Sequence, residues 1–292
     1  MALSGTEYLR SMPSSIEAYI AAVSGDELFV VGRDWTSITN MSTVTTRAFQ
    51  NATAYYIPRS LSGCADVVGV DGDTLVWTGK WTSNYGVFGM NTAGGAWWKY
   101  TGSSDAPSPV VGHGDYVGLG NSKRLKVSTW SLFGTPSWNG TATLDVNAKV
   151  GSTIYSVDST NIRSIDPAAD TYSAVLYTLP VQPARGRGAT IGNTVHFIVD
   201  ANSRLSWDSV AGTHTSWGLT PVGAPAVAHH IVGPDGYLYS VVDDTYLLVV
   251  DPATGRWAKE AFPTVRSARS TLAIGAGAGK IWVPASTPDP WP

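Results

Sequence analysis

The chain has 292 residues, of which only 14% are charged, with 31 Gly, 17 Pro, 12 Trp and 13 Tyr; this is a profile of short strands joined by turns rather than of helices. A formal net charge of -3 and a pI near 5.9 give no basic footprint for a phosphate backbone, and no apolar run approaches the ~18 residues of a membrane span. Neither nucleic acid nor membrane insertion is therefore expected, and a single cysteine, Cys64, excludes an internal disulfide.

In chain order, Met1 to Arg10 lacks the basic and apolar regions of a signal peptide. Thr6 to Pro13 reads as an outer strand and a connector. From residue 14 to residue 285 a unit of about 42 residues returns seven times, its clearest part a polar turn leading into an apolar strand. The copies are Asp26-Glu-Leu-Phe-Val-Val-Gly32, Asp73-Thr-Leu-Val-Trp-Thr-Gly79, Asp115-Tyr-Val-Gly-Leu-Gly120, Ser152-Thr-Ile-Tyr-Ser-Val-Asp158, Asn193-Thr-Val-His-Phe-Ile-Val-Asp200, Gly236-Tyr-Leu-Tyr-Ser-Val-Val-Asp243 and Gly279-Lys-Ile-Trp-Val-Pro-Ala285. Their first residues are 47, 42, 37, 41, 43 and 43 positions apart. Such a period, built from strands, marks a β-propeller. The expected fold is all-β, a single-domain seven-bladed β-propeller, with residues 1–13 completing the last blade and 286–292 as a tail. Six blades with an irregular first segment is the alternative.

The sixth repeat shows the unit best. Ala226–Gly233 is the inner strand, Tyr237–Val242 the second, Tyr246–Val250 the third and Arg256–Glu260 the outer one. Asp251-Pro-Ala-Thr-Gly255 joins the last two, with Pro fixing φ and Gly accepting a positive φ. Comparable hairpins are expected from Asn91 to Trp98, Ser131 to Trp138, Asp166 to Tyr172 and Asp208 to Trp217. The aromatic that follows each, including Trp98, Trp138, Trp217 and Trp257, is expected to wedge between blades.

Val250-Asp-Pro-Ala-Thr-Gly-Arg-Trp257, Phe262-Pro-Thr-Val-Arg-Ser-Ala-Arg269 and Ala276-Gly-Ala-Gly-Lys-Ile-Trp282 resemble the Kelch repeat: a D-P-x-T-x-x-W hairpin, a Pro-Arg connector and a turn into the second strand. Val-Asp or a single Gly stands where Kelch strands end in Gly-Gly. The resemblance implies a Kelch-like propeller. In its small size, its Gly/Thr/Ser/Trp-rich composition and its 12 Arg against 7 Lys, the chain is also similar to minor tail or adhesion proteins of phages of high-GC bacteria.

In a propeller, the loop after strand two and the connector before strand one share a face. On this chain that face gathers Asp34, Trp35, Trp81, Asp158, Asp200 and Asp243 with Arg187, His229 and Arg269. The candidate ligand set is Asp34, Trp35, Trp81, Asp158, Arg187, Asp200, Asp243 and Arg269. Trp35 or Trp81 would stack on a pyranose ring while the carboxylates and guanidinium groups bond its hydroxyls. The alternative for each Asp is to cap a turn or pair with an Arg of the next blade. His113, His196, His214 and the adjacent pair His229-His230 fall in different repeats, and no His/Cys/carboxylate spacing fits a metal. No nucleophile motif appears, so no catalytic residue, cofactor or metal is expected.

The expected function is a non-enzymatic binding and structural module, a phage virion tail component. It would dock to other virion structural proteins, with host-surface glycan as a further ligand. The alternatives are a cytosolic Kelch-like adaptor and a glycan-processing enzyme using Asp158, Asp200 and Asp243. Its location is the virion, or the cytoplasm on the adaptor reading.

Overall fold

The recurring turn is made by glycine. Gly25, Gly72, Gly114, Gly151, Gly192, Gly236 and Gly279 all hold φ between 55° and 80°, and each opens or sits within the turn ahead of an apolar strand. A side chain would strain that backbone, so Gly marks where each first hairpin folds back. The strand that follows is apolar on both faces; in Glu27–Gly32 every residue after the first is buried. Burial on two sides means that a neighbouring sheet covers each face.

The computed structural model describes residues 18–32, 35–50, 65–69, 72–81, 84–93, 97–103, 111–119, 123–133, 144–166, 168–169, 171–184, 186–200, 203–218, 228–229, 231–242, 246–261 and 275–282. Every regular element among them is a strand. The first blade is β1 (Ala18–Ser24), β2 (Glu27–Gly32), β3 (Trp35–Asn40) and β4 (Thr45–Gln50); the second is β5 (Ala65–Val68), β6 (Thr74–Trp81), β7 (Asn84–Asn91) and β8 (Trp97–Ser103). The third is β9 (Val111–His113), β10 (Tyr116–Leu119), β11 (Lys123–Lys126) and β12 (Ser131–Phe133). The fourth repeat supplies β13 (Leu144–Val150), β14 (Thr153–Asp158), β15 (Asn161–Asp166), β16 (Thr171–Tyr172) and β17 (Tyr177–Thr178). After β18 (Gly186–Arg187) come β19 (Ala189–Ile191), β20 (Thr194–Ile198), β21 (Ser203–Asp208) and β22 (Thr213–Gly218), another complete blade. After β23 (Ala228–His229) come β24 (Ile231–Val232), β25 (Leu238–Val242), β26 (Tyr246–Val250) and β27 (Trp257–Ala261). β28 (Gly275–Gly277) and β29 (Lys280–Trp282) form a two-stranded ladder.

The chain is thus all-β, a propeller-like ring of small sheets in which each inner strand touches the inner strand of the next, from β1 through β5, β9, β13, β19 and β24 to β28 and back to β1. Complete four-stranded blades number five among the described residues, which corrects the expectation of seven, or of six. The repeat signal marks only where each first hairpin turns, and it does not require the outer strands to pair. In the fourth repeat the outer edge splits into β16 and β17 on either side of Ser173–Leu176, while β18 and β23 join the inner edge, giving a seven-stranded sheet. In the last repeat only the hairpin Gly275–Trp282 is described. The strand proposed within residues 1–13 lies outside the described residues, as do the tail and Cys64.

The core lies between the sheets rather than at one centre. Phe29, Val31 and Ile38 meet Leu75, Trp77 and Phe88; Val76 and Val87 meet Val117 and Leu125. Further round the ring, Ala148, Val157 and Ile162 meet Val195, Phe197 and Trp207, and Ala189 and Trp217 meet Leu238, Leu248 and Val250. Leu28, Val30 and Met41 pack with Trp282, closing the last ladder onto the first blade.

The third-to-fourth strand turns share a second device. Asp166 Oδ1 accepts the N–H groups of Ala168 and Ala169, Asp208 Oδ1 those of Val210 and Ala211, and Asn91 Oδ1 that of Ala93. The side chain supplies the hydrogen bonds that the turning backbone gives up. One hairpin differs from expectation. In the third blade the turn falls at Val127–Trp130, not after Ser131, and Ser131–Phe133 is the outer strand itself. Trp130 is a wedge there, packed against the second blade at Gly89; Trp138 lies outside the described residues.

Candidate functional site

The hydrogen-bonding pattern at the channel sets the geometry of the loop-rich face. β13, β18 and β23 form a continuous parallel ladder, with Val146 paired to Gly186 and on to Ala228, and Asn147 to Arg187 and on to His229. The short strands just ahead of β19 and β24 therefore bond onto the inner edge of the fourth repeat's sheet. The ladder puts Asn147, Arg187 and His229 at one level, neighbouring strands being about 4.8 Å apart.

Asp158 ends β14, half-buried, opposite Leu144 and Asn161. Asn147 pairs with Ser156, two residues earlier, so the Arg187 tier lies about 7 Å along the strand from Asp158. Asp200 is exposed in the turn between β20 and β21, and its N–H reaches Ser203 O at 3.4 Å. Trp35 opens β3 opposite Gln50, and Trp81 ends β6 opposite Asn84. The structure thus puts Asp158 and Arg187 in one sheet and Asp200 beside β20 of the next. The two tryptophans sit on the first and second blades, with the third blade between them and Asp158. Asp34, Asp243 and Arg269 lie outside the described residues.

Two functional candidates escaped sequence reasoning. Arg204, second in β21, is 1% exposed. Its Nη1 donates to the carbonyls of Asp200 at 2.7 Å and Ser203 at 3.0 Å, tying the base of the loop to the blade. Its Nε and Nη2 are buried and meet no acceptor among the described residues. Burial pulls its pKa down to about 10, partly offset by the charge of Asp200, so the group stays cationic at neutral pH. His196 is also buried, stacks on Trp217 with ring centres 5.8 Å apart, and leaves Nδ1 without a partner. Desolvation lowers its pKa from 6.5 to about 4, so it is neutral at pH 7.

Register puts these two on one face. Arg204 pairs with Ile198 and Trp217, and His196 with Ala189 and Ser206. All project on the face of this blade that covers Leu238, Leu248 and Val250 of the next. Ser240 lies in the same layer, opposite Leu248, with its Oγ also unpartnered. An alternating strand such as Ser203-Arg-Leu-Ser-Trp-Asp208 reads as half-exposed in isolation. The available signal was the ring itself, which covers both faces of an inner or third strand and so buries a mid-strand arginine.

Elsewhere the blades are tied by polar contacts of structural character. Gly112 N–H donates to Asp66 Oδ2 at 3.0 Å, joining inner strands of the second and third blades. Arg47 Nη2 meets Glu27 Oε1 at 2.9 Å and Thr92 O at 3.1 Å, bridging the first and second. Among the described residues no group of three His, Cys, Asp or Glu is placed to hold a metal ion, and no helix is long and apolar enough to cross a membrane. No protein-family model matches this chain, and no curated protein sequence matches it.

Proposed function

We propose that the chain is a non-enzymatic binding and structural module, a tail component of a phage virion, whose loop-rich face takes host-surface glycan while its sides dock to other virion proteins. The observation that carries the reading is the parallel ladder β13–β18–β23. It sets Asn147, Arg187 and His229 at one level, about 7 Å along the strand from Asp158. A rigid framework carrying polar loops is how a binding site is displayed with little ordering cost. Carboxylates and a guanidinium group offer the donors and acceptors that sugar hydroxyls require. Trp35 and Trp81, on the same rim, supply faces for stacking at a second point of a longer chain. The Kelch-like hairpins fit the same architecture and also suit an adaptor, which would bind one protein partner and ignore cells.

The test is saturable binding of fluorescently labelled protein to intact bacterial cells, with an Asp200→Ala/Trp81→Ala double variant beside it. Saturable binding that the double variant loses is the expected result and places the site on this face. Absence of binding to every cell type overturns the glycan reading, and capture of a single cytosolic partner would favour the adaptor.

A further inference from the structure

The outer strand of a blade pairs on one side only and turns a row of N–H and C=O groups outward, a template for another strand. Among the described residues, the other outer edges each carry a feature that discourages such pairing. β4 holds Arg47 and β27 holds Lys259, both exposed. β8 contains Lys99 and a register shift against β7. β12 is three residues long, and the outer edge of the fourth repeat is split into β16 and β17. β22 has none of these. Thr213–Gly218 pairs with β21 along its whole length without a shift, stands last in its sheet, and contains no Lys, Arg, Asp, Glu or Pro. Apolar surface gathers beside the same strand. Of the five large hydrophobic residues that are exposed among those described, four are Val175, Leu176, Val181 and Val210. Val210 sits in the turn leading into β22, and Val175 and Leu176 precede Tyr177, whose hydroxyl group meets Nδ1 of His214 in β22. Neither residues 173–183 nor residues 209–218 include a charged side chain.

We infer that two copies of this chain join β22 to β22, antiparallel about a two-fold axis, making one continuous sheet from two four-stranded blades. The absence of charge is what selects a second copy. A self-pairing edge must bring no like charges together, whereas an edge that chooses a foreign strand gains from charges to choose it by. The two-fold axis stands perpendicular to the sheet, so one residue lies opposite its own copy. Thr215 takes that position, which sets Thr213 opposite Trp217 and His214 opposite Ser216 and leaves Gly218 outside the ladder. Threonine opposite threonine is a favourable cross-strand pair. Val175, Leu176 and Val210, beside the new ladder, are the apolar surface that the pairing covers. A two-fold contact uses each edge once, so it closes as a dimer and does not grow into a fibre. The inference concerns the side of the ring and stands whether or not the loop-rich face takes glycan.

The test is sedimentation velocity of the full chain from about 1 μM to about 100 μM, the range in which a weak self-association shows. Wild type should pass from monomer to dimer on concentration. Thr215→Lys sets two ammonium groups opposite each other and should weaken dimerisation at least about tenfold. Thr46→Lys, the same change at an exposed position of β4, should leave it unaltered. Position 215 is exposed, so the circular dichroism of Thr215→Lys should match that of wild type, which separates lost pairing from lost folding. In a Cys64→Ser background, Thr215→Cys should give a disulfide-linked dimer with oxidised glutathione, because directly opposed Cβ atoms lie near bridging distance. A wild type that stays monomeric throughout overturns the inference. So does a dimer that Thr215→Lys leaves intact, or one that Thr215→Cys fails to link, since the copies would then meet elsewhere.

Discussion

His196 shows how one buried side chain sets a property of the whole. In the unfolded chain it titrates near 6.5, whereas in the folded chain burial holds it at about 4. Between those values the unfolded state carries a proton that the folded state refuses, so stability falls as pH drops through that window and levels off below it. The loss amounts to about 3 kcal/mol at most. Asp208 and Asp251 act in the same sense. Hydrogen bonds from Ala211 and Val210 hold the first below the usual carboxylate range, and Thr254 holds the second. The comparison must therefore be a difference between variants. His196→Phe keeps a ring against Trp217 and removes the proton, so its urea midpoint should depend less on pH between 6.5 and 4 than that of wild type. An unchanged slope would assign the acid sensitivity to the carboxylates alone.

At the scale of the element, the turn-and-strand repeat was legible because a Gly with positive φ and a two-sided apolar strand both leave marks in composition. Outer strands leave weaker marks. β22, Thr213–Gly218, is exposed at every residue but Trp217, and nothing apolar announces it. The site was legible in the same uneven way. Asp158 and Asp200 stand where a strand ends, which periodicity locates; Arg204 and His196 lie inside strands, where only the neighbouring blade decides whether a polar residue is buried. The third blade's hairpin was misplaced for a related reason, since it turns at Val127–Trp130, at the wedge Trp130, without a Pro or a Gly to signal it. That wedge can be tested directly. A Cβ on Gly89 would run into Cη2 and Cζ3 of Trp130, the far edge of a rigid ring that can yield only by moving as a whole. Gly89→Ala should cost about 1–3 kcal/mol in denaturant unfolding. Adding Trp130→Leu should return part of that loss, giving a double variant more stable than the sum of the singles implies. Additive losses would mean that Gly89 and Trp130 do not share one contact.

On the scale of the molecule, the ring makes distant parts of the chain depend on one another. The last described ladder closes onto the first blade across nearly the whole sequence: a Cβ on Gly275 would lie 2.5 Å from Leu28 Cδ1 and 2.9 Å from Val23 Cγ2. Two glycines make that seam tight, since Gly277 stands equally close to Met41. On its other side, Ile281 packs with Tyr239 and Val249 of the sixth repeat. A sheet in an open array answers only to its neighbours, so a wedge at one end loosens that end alone. A closed ring has no such end, and forcing the seam apart uncovers edges on both sides. Gly275→Val should therefore lower the unfolding midpoint of the entire domain. Far-UV circular dichroism, which reports all strands, should shift together with near-UV signals from buried Trp77 and Trp207, which lie away from the seam. Coincident curves at a reduced midpoint are the expected result. A separate early step confined to one probe would mean that the contact at Gly275 holds only its own ladder, and that the five complete blades do not draw their stability from closure.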